Sequence, residues 1–471
     1  MSGQQEQQEQ QKPQKYLNKT LDKDLGENLK INFGLMLHGA GGHMNSWRHP
    51  SSTIDASVNF DYNLNLAKEA EAAGIAFLFV ADGLYIIEKS LPHFLNRFEP
   101  LTLLSALATH TSKIGLGGTV STSYSDPYTI ARQFASLDLI SHGRAAWNLV
   151  TTPLEGTAKN YGRAHPEHGL RYQIATEYIE IVQGLWSSWE EDAFVRHRES
   201  GQFFDPQKMH RVNFKGTHFS VEGPLNIQRS PQGEPVIFQA GASESGIAFA
   251  SRYAEAVFTH IKDLEEAKSY YQKVKQSAVD HGRSSEDIKI FPGISPIVGK
   301  TEAEAEAKYQ TIRNLVNIED ALAYLGRYFD HHDFTQYELD APFPELGAIG
   351  ENSFRSTTDK IKQEARDRGL TLREVALNET TQRNDFIGTA DQITDRLIQW
   401  VDEGAADGFI LTFQIGAQGF EDFKAEILPR LEQRGYFDSK LSHNTLRENL
   451  GLPIIANRYL KEGQRKEAIH A

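Results

Sequence analysis

The segment Gln239-Ala240-Gly241-Ala242-Ser243-Glu244-Ser245-Gly246 offers the clearest chemistry in the chain. Small residues just before a helix leave backbone N–H groups free, and the helix dipole favours an anion there, so a phosphate group would bind well at Ala242 and Ser243. Ser243 equally suits a plain helix cap for a helix over 245–253, and taken alone the cap is the stronger reading. No Lys-Ser/Thr pair follows, so this is not a P-loop, and Gly115-Leu116-Gly117-Gly118 lacks dinucleotide-binding spacing. Asp82, in Ala81-Asp82-Gly83, is either a pocket acceptor or a turn residue before glycine. Thr119 and Asn148 fall at the ends of apolar runs, and Trp47-Arg48-His49-Pro50 follows another. Arg48 could clamp a carboxylate with its two-pronged guanidinium or serve structure alone. His165 and His168, like His331, His332 and Asp333, show no converging third ligand and read as solvated surface groups, so no metal site is expected. With no cysteine in 471 residues, disulfides, cysteine–zinc sites, iron–sulfur clusters and a thiol nucleophile are excluded. No Gly-x-Ser-x-Gly elbow marks a hydrolase serine. These residues identify no catalytic acid or base.

These groups need elements to hold them. Apolar runs at 31–37, 75–80, 113–117, 145–150, 235–239, 256–259, 287–296 and 408–412 read as strands, nearly all separated by helical patterns such as 64–73, 101–109, 130–139, 245–253 and 390–403. Ile75-Ala76-Phe77-Leu78-Phe79-Val80 is apolar on both faces, as a covered parallel strand is. Eight such runs predict an α/β chain folded as a (β/α)8 TIM barrel, with a doubly wound sheet as the alternative, because periodicity does not show closure. Long segments at 151–234 and 300–383 read as insertions after strands four and seven, roofing the catalytic face. The Gln/Glu-rich residues 1–28 read as a disordered tail, 29–452 as the barrel domain and 453–471 as a C-terminal extension. The formal charge of −14 argues against broad nucleic-acid binding, and no apolar run is long enough to span a membrane. The first residues lack an apolar signal core, so a cytoplasmic location is expected.

In order, Ala81-Asp82-Gly83, Gly118-Thr119 to Ser123, Gly143-Arg144-Ala145-Ala146-Trp147-Asn148-Leu149-Val150-Thr151, Glu167-His168-(x2)-Arg171-Tyr172 and Gln239-Ala240-Gly241-Ala242-Ser243 resemble the bacterial-luciferase-like flavin monooxygenases. The branch is that of the nitrilotriacetate, EDTA, dibenzothiophene-sulfone and long-chain alkane enzymes. Trp47-Arg48-His49-Pro50, Gly216-(x2)-Phe219-(x2)-Glu222-Gly223-Pro224 and Thr445-Leu446-Arg447-Glu448 add to the likeness, which covers about residues 31–452. Phe94 to Pro100 and Phe291 to Val298 carry a closer likeness to members that oxidise S-succinylated cysteine. The resemblance implies a (β/α)8 barrel that takes reduced FMN (FMNH2) from a separate NAD(P)H-dependent flavin reductase and uses O2 to oxygenate a small organic substrate. A C–S or C–N bond then breaks in a thioether, sulfone or aminopolycarboxylate. It places flavin contacts on Asp82, Thr119, Asn148, His168, Tyr172 and Ser243, with Ser243 holding the phosphate. Trp47, Arg48 and His49 are the substrate-side candidates, and family members form dimers or tetramers, so the segment 436–452 is a candidate for packing on a neighbour. A deazaflavin-dependent oxidoreductase and a non-catalytic flavin-binding protein are the rival readings.

Overall fold

The computed structural model describes residues 30–460, apart from 89, 153, 242, 351–354 and 382. The expected N-terminal tail therefore lies outside the described residues, as does most of the C-terminal extension.

Eight parallel strands form one closed barrel: β1 (Asn32–Met36), β2 (Phe77–Val80), β3 (Gly115–Ser121), β4 (Ala145–Val150), β5 (Val236–Gln239), β6 (Ala256–Thr259), β7 (Lys289–Ile294) and β8 (Gly408–Leu411). Pairing of β1 with β8, Asn32 against Gly408 through Leu35 against Leu411, closes the sheet and rules out the doubly wound alternative. The outer ring is α1 (Phe60–Ala72), α2 (Pro100–Ala108), α3 (Pro127–Ile140), α4 (His168–Trp186), α5 (Glu244–Tyr253), α6 (Leu264–Asp280), α7 (Ala390–Asp402) and α8 (Gly416–Glu426). Several starts have a local cause. Asn59 caps α1 by accepting from the Tyr62 N–H at 3.0 Å, and Thr389 with Gln392 forms a reciprocal box at α7. On α7 the buried Ile393, Leu397, Trp400 and Val401 make one apolar stripe against the strands.

The barrel interior is aromatic. Phe77, Phe79, Phe238, Phe258 and Phe291 project inward, with Phe79 and Phe258 edge to face at 4.5 Å between centroids. Glycine makes room for them: a Cβ on Gly34 would lie 2.2 Å from the Phe77 ring, and one on Gly117 would lie 3.0 Å from that of Phe238. Leu446, Leu450 and Leu452 complete this core at the amino ends of the strands. The 436–452 segment plugs its own barrel, where Leu446 and Leu450 are fully buried.

The segment 151–234 is not a single roof over the carboxyl ends. It contains α4, a true barrel helix that packs between α3 and α5 and buries Tyr178, Ile179, Ile181, Val182 and Leu185. After α4 the chain is at the amino end of the barrel, where Gln232 donates to Asp138 at 2.7 Å and to the Ala145 carbonyl at 2.9 Å. The segment after β7 does sit over the mouth. It pairs Ile297–Gly299 with Ile387–Thr389 and builds a small helical unit whose core includes Leu322, Leu325, Phe329, Phe334 and Val375.

Candidate functional site

Thr119 and Asn148 face each other across β3 and β4, and Asn148 is level with Phe238 on β5, one residue before Gln239. Thr119 lies within β3, which runs four residues past the expected end because Gly118 to Ser121 pair with Trp147 to Val150. The Asn148 amide donates to Thr119 Oγ1 at 2.9 Å. Its Oδ1 has no donor, nor has Gln239 Oε1, although both atoms are buried. Buried acceptors left without donors are costly unless a ligand satisfies them.

A second cluster gathers where α5 begins. Ser243 Oγ accepts from the Gly246 N–H at 3.1 Å, so Ser243 is the helix cap. It is also solvent-exposed, and the first-turn N–H groups of Glu244 and Ser245 have no acceptor inside the helix, so the cap and the anion site are compatible. The glycines are required for the close approach: a Cβ on Gly246 would lie 3.0 Å from Tyr172 Oη and 3.1 Å from Ser243 Oγ. Tyr172 and His168 occupy one face of the first turns of α4, with ring centroids 5.2 Å apart. Ala242 lies outside the described residues.

The loop after β2 forms a third group. Asp82 pairs with Arg97 at 2.7 Å, and the same guanidinium donates to the Gly83 carbonyl at 2.9 Å and stacks over Phe94. Burial pushes the Asp82 carboxyl above its ordinary value, against the pull of Arg97. Next to them His38, at the end of β1, packs on His93 with centroids 4.3 Å apart. Burial and the charge of Arg97 lower His38 to about 4, and burial first, then the adjoining His38 and Arg97, lowers His93 to about 3, so both rings are neutral near pH 7. His38 Nδ1 and His93 Nε2 are buried without partners.

Of the three substrate-side candidates, Arg48 and His49 bond to residues outside these clusters. Arg48 donates to the Leu315 carbonyl at 2.5 Å and so fastens the overlying segment to the loop after β1. His49 Nδ1 bonds Ser51 Oγ at 2.8 Å, while Trp47 is 44% exposed. His165 is not a free surface ring, since it bridges Tyr124 Oη at 2.7 Å and Arg171 at 2.8 Å. Among the described residues no group of His, Asp and Glu gathers as a metal site.

A cavity of about 220 Å³ opens on the other half of the mouth, lined by Gly42, Lys262, Ser295, Tyr324, Glu379 and Gln414 among others. A larger depression of about 490 Å³ lies outside the barrel between α2 and α3, away from every strand end. Strand-end reasoning carried through strand six would have reached Lys262, three residues past β6. His93 gives no such signal, because it lies on a short turn at 92–95 that follows no strand directly.

The profile of the luciferase-like monooxygenases matches residues 40–407. The chain is 48% identical to N-acetyl-S-(2-succino)cysteine monooxygenase of Bacillus subtilis, over 92% of this chain and 99% of that one. It is 39% identical to nitrilotriacetate monooxygenase component A of Aminobacter aminovorans, over 93% and 100% of the two chains. The crystal structure of a riboflavin lyase with modified FMN and riboflavin superposes with a TM-score of 0.76 at 32% identity, covering 90% of this chain and 96% of that one.

Proposed function

The chain belongs to the luciferase-like monooxygenases and is a flavin-dependent monooxygenase, and from that premise we propose that it is the oxygenase half of a two-component system. A separate NAD(P)H-dependent reductase would supply reduced FMN, and the substrate would be a thioether of the S-succinyl-cysteine kind. The similarity to a succinocysteine monooxygenase and to an enzyme named as one component of a system supports both parts. Sulfones and aminopolycarboxylates are the neighbouring substrate classes.

The observation that carries the reading is the set of unsatisfied acceptors at the mouth beside an exposed helix start. Asn148 Oδ1 and Gln239 Oε1 suit the ring N–H groups of a flavin, and the α5 N-terminus with Ser243 suits its phosphate. When bound, reduced FMN supplies the electrons that activate O2 for insertion into the substrate. The protein's own work is position and dryness. Thr119 fixes the Asn148 amide so that Oδ1 faces outward from the hydrogen bond. Arg97 holds Asp82, and Tyr172 with His168 flanks the phosphate corner. The phenylalanine core beneath the mouth and the helical unit above it limit water, which would otherwise divert the oxidising equivalents. The neutral His38 can accept a proton at Nδ1 or donate one, according to its tautomer. The resulting oxygenation would weaken a C–S bond in a thioether and lead to its cleavage.

Anaerobic titration with photoreduced FMN tests the cofactor, and the mass of the product formed under ¹⁸O₂ tests the reaction. Ser243→Ala should weaken reduced FMN roughly tenfold through the lost phosphate contact. Unchanged affinity would remove Ser243 from that site, and a wild-type protein that binds no reduced FMN would end the proposal.

A further inference from the structure

The cavity opposite the proposed flavin corner has a composition of its own. Thr119, Asn148 and Gln239 occupy β3 to β5. The cavity is bounded by the loops after β1, β6, β7 and β8, through Gly42, Lys262, Ser295 and Gln414, and roofed by Tyr324, Tyr328 and Glu379 from the segment over the mouth. Lys262 leaves much of its surface open although protein surrounds it, as a side chain lining a recess does. Burial lowers its ammonium below the ordinary lysine value, and Glu379 opposes that shift, so the two charges lie within electrostatic reach of each other. Glu379 also acts on Tyr328, whose phenol is raised chiefly by burial and stays protonated, and whose Oη is 3.2 Å from that of Tyr324. One cation, one anion and two phenols therefore face a volume large enough for a small organic end group.

We propose that this cavity holds the amino-acid end of the substrate, its carboxylate on Lys262 and its adjacent N–H group on Glu379, with one hydroxyl of the Tyr324–Tyr328 pair, the one that accepts from the other, as a further donor. The inference rests on the monooxygenase reading above and adds the substrate's recognition chemistry. A lone lysine would suit any anion. The paired glutamate would repel a second carboxylate and accept an N–H donor, which selects an α-amino or α-acylamino acid over a simple dicarboxylate. Because the chain carries a formal charge of −14, an anionic substrate needs a local cation of this kind.

The test is calorimetric binding to the full chain in the presence of FMN. The probes are N-acetyl-S-(2-succino)cysteine, the free amine S-(2-succino)cysteine, and the α-methyl ester of each. Lys262→Met should weaken both acids roughly 10- to 100-fold, the worth of a charge-assisted hydrogen bond, and bind the esters as wild type does. Glu379→Gln should weaken the free amine, and an equal loss for the acetylated probe would assign the N–H of either form to Glu379. Equal affinities of wild type and Lys262→Met for the acids, or esters that bind wild type as well as acids do, would overturn the proposal. Thermal melting confirms that each variant is folded. Binding is read without turnover, so failure of the flavin chemistry would appear in the FMN titration alone.

Discussion

Arg144 has 1% of its surface exposed and uses all five N–H donors: on the Ser141 carbonyl at 2.7 Å, the Ile114 carbonyl at 2.6 Å, Thr111 Oγ1 at 3.0 Å and the Ala108 and Thr111 carbonyls. It shares a motif with Asn148, yet stands at the other end of β4 and ties turns together. Glu177 does similar work by accepting from the backbone of Thr217, His218 and Phe219. Motif membership therefore does not separate chemistry from architecture: the guanidinium of Arg144 is saturated, whereas Asn148 Oδ1, Gln239 Oε1 and His38 Nδ1 of the candidate site have no partners. The two neutral histidines have a measurable consequence. Unfolded imidazoles bind protons near pH 6.5, but His38 does so only at about 4 and His93 at about 3 when folded. The stability they carry is whole above pH 6.5 and is lost as pH falls toward those values, by up to about 2 kcal/mol each at pH 5. Urea midpoints at pH 7 and pH 5 check this. His93→Gln should show a shallower loss over that range, and identical losses would contradict the assignment.

Among the elements, β4 at 145–150 and β6 at 256–259 are legible to the residue, because strands covered on both faces read as predominantly apolar runs. The far half of β3 is not, since Gly118, Thr119 and Ser121 look like a loop and only the β4 register makes them a strand. Spacing alone also hides α4 inside a presumed insertion, because the chain beyond it takes a detour under the barrel before β5. Asp82, Thr119, Asn148, Tyr172 and Ser243 were reachable from strand-end position and motif order. The Arg97 partner of Asp82 and the His38–His93 pair were not, because they depend on how one loop folds back over the mouth. The glycines in β1 and β3 make the element-level prediction. Gly34→Val must displace the Phe77 ring from a fully buried position, and overpacking of this sort costs about 1–3 kcal/mol or more. Chemical denaturation measures it, and Gly34→Val combined with Phe77→Leu should recover part of the loss.

At the scale of the molecule, the barrel is sealed at its amino end by the chain's own late segment. Thr445 and Glu448 form a capping box that presents Leu446 to the core, and Arg447 pairs with Glu255 at 2.9 Å while donating to the Glu234 carbonyl. Glu255 also accepts from the Ile237 N–H at 2.6 Å, so the pair links the plug to β5. Arg447→Met would remove the direct ion-pair partner of the buried Glu255, leaving only the field of Arg283, and should lower stability by up to about 3 kcal/mol. Far-UV circular dichroism with urea titration reads that loss, and a shift below 1 kcal/mol would show that the pair contributes little.

That closure also has a meaning in time. β1 is finished early in synthesis, but its partner β8 and the leucines beneath the phenylalanines come from residues 408–411 and 446–452. Until those residues leave the ribosome, β1 has an open edge and the aromatic interior an open floor, both of them aggregation hazards. The barrel cannot close until residues 408–452 have been made, so its folding should lag far behind the synthesis of β1.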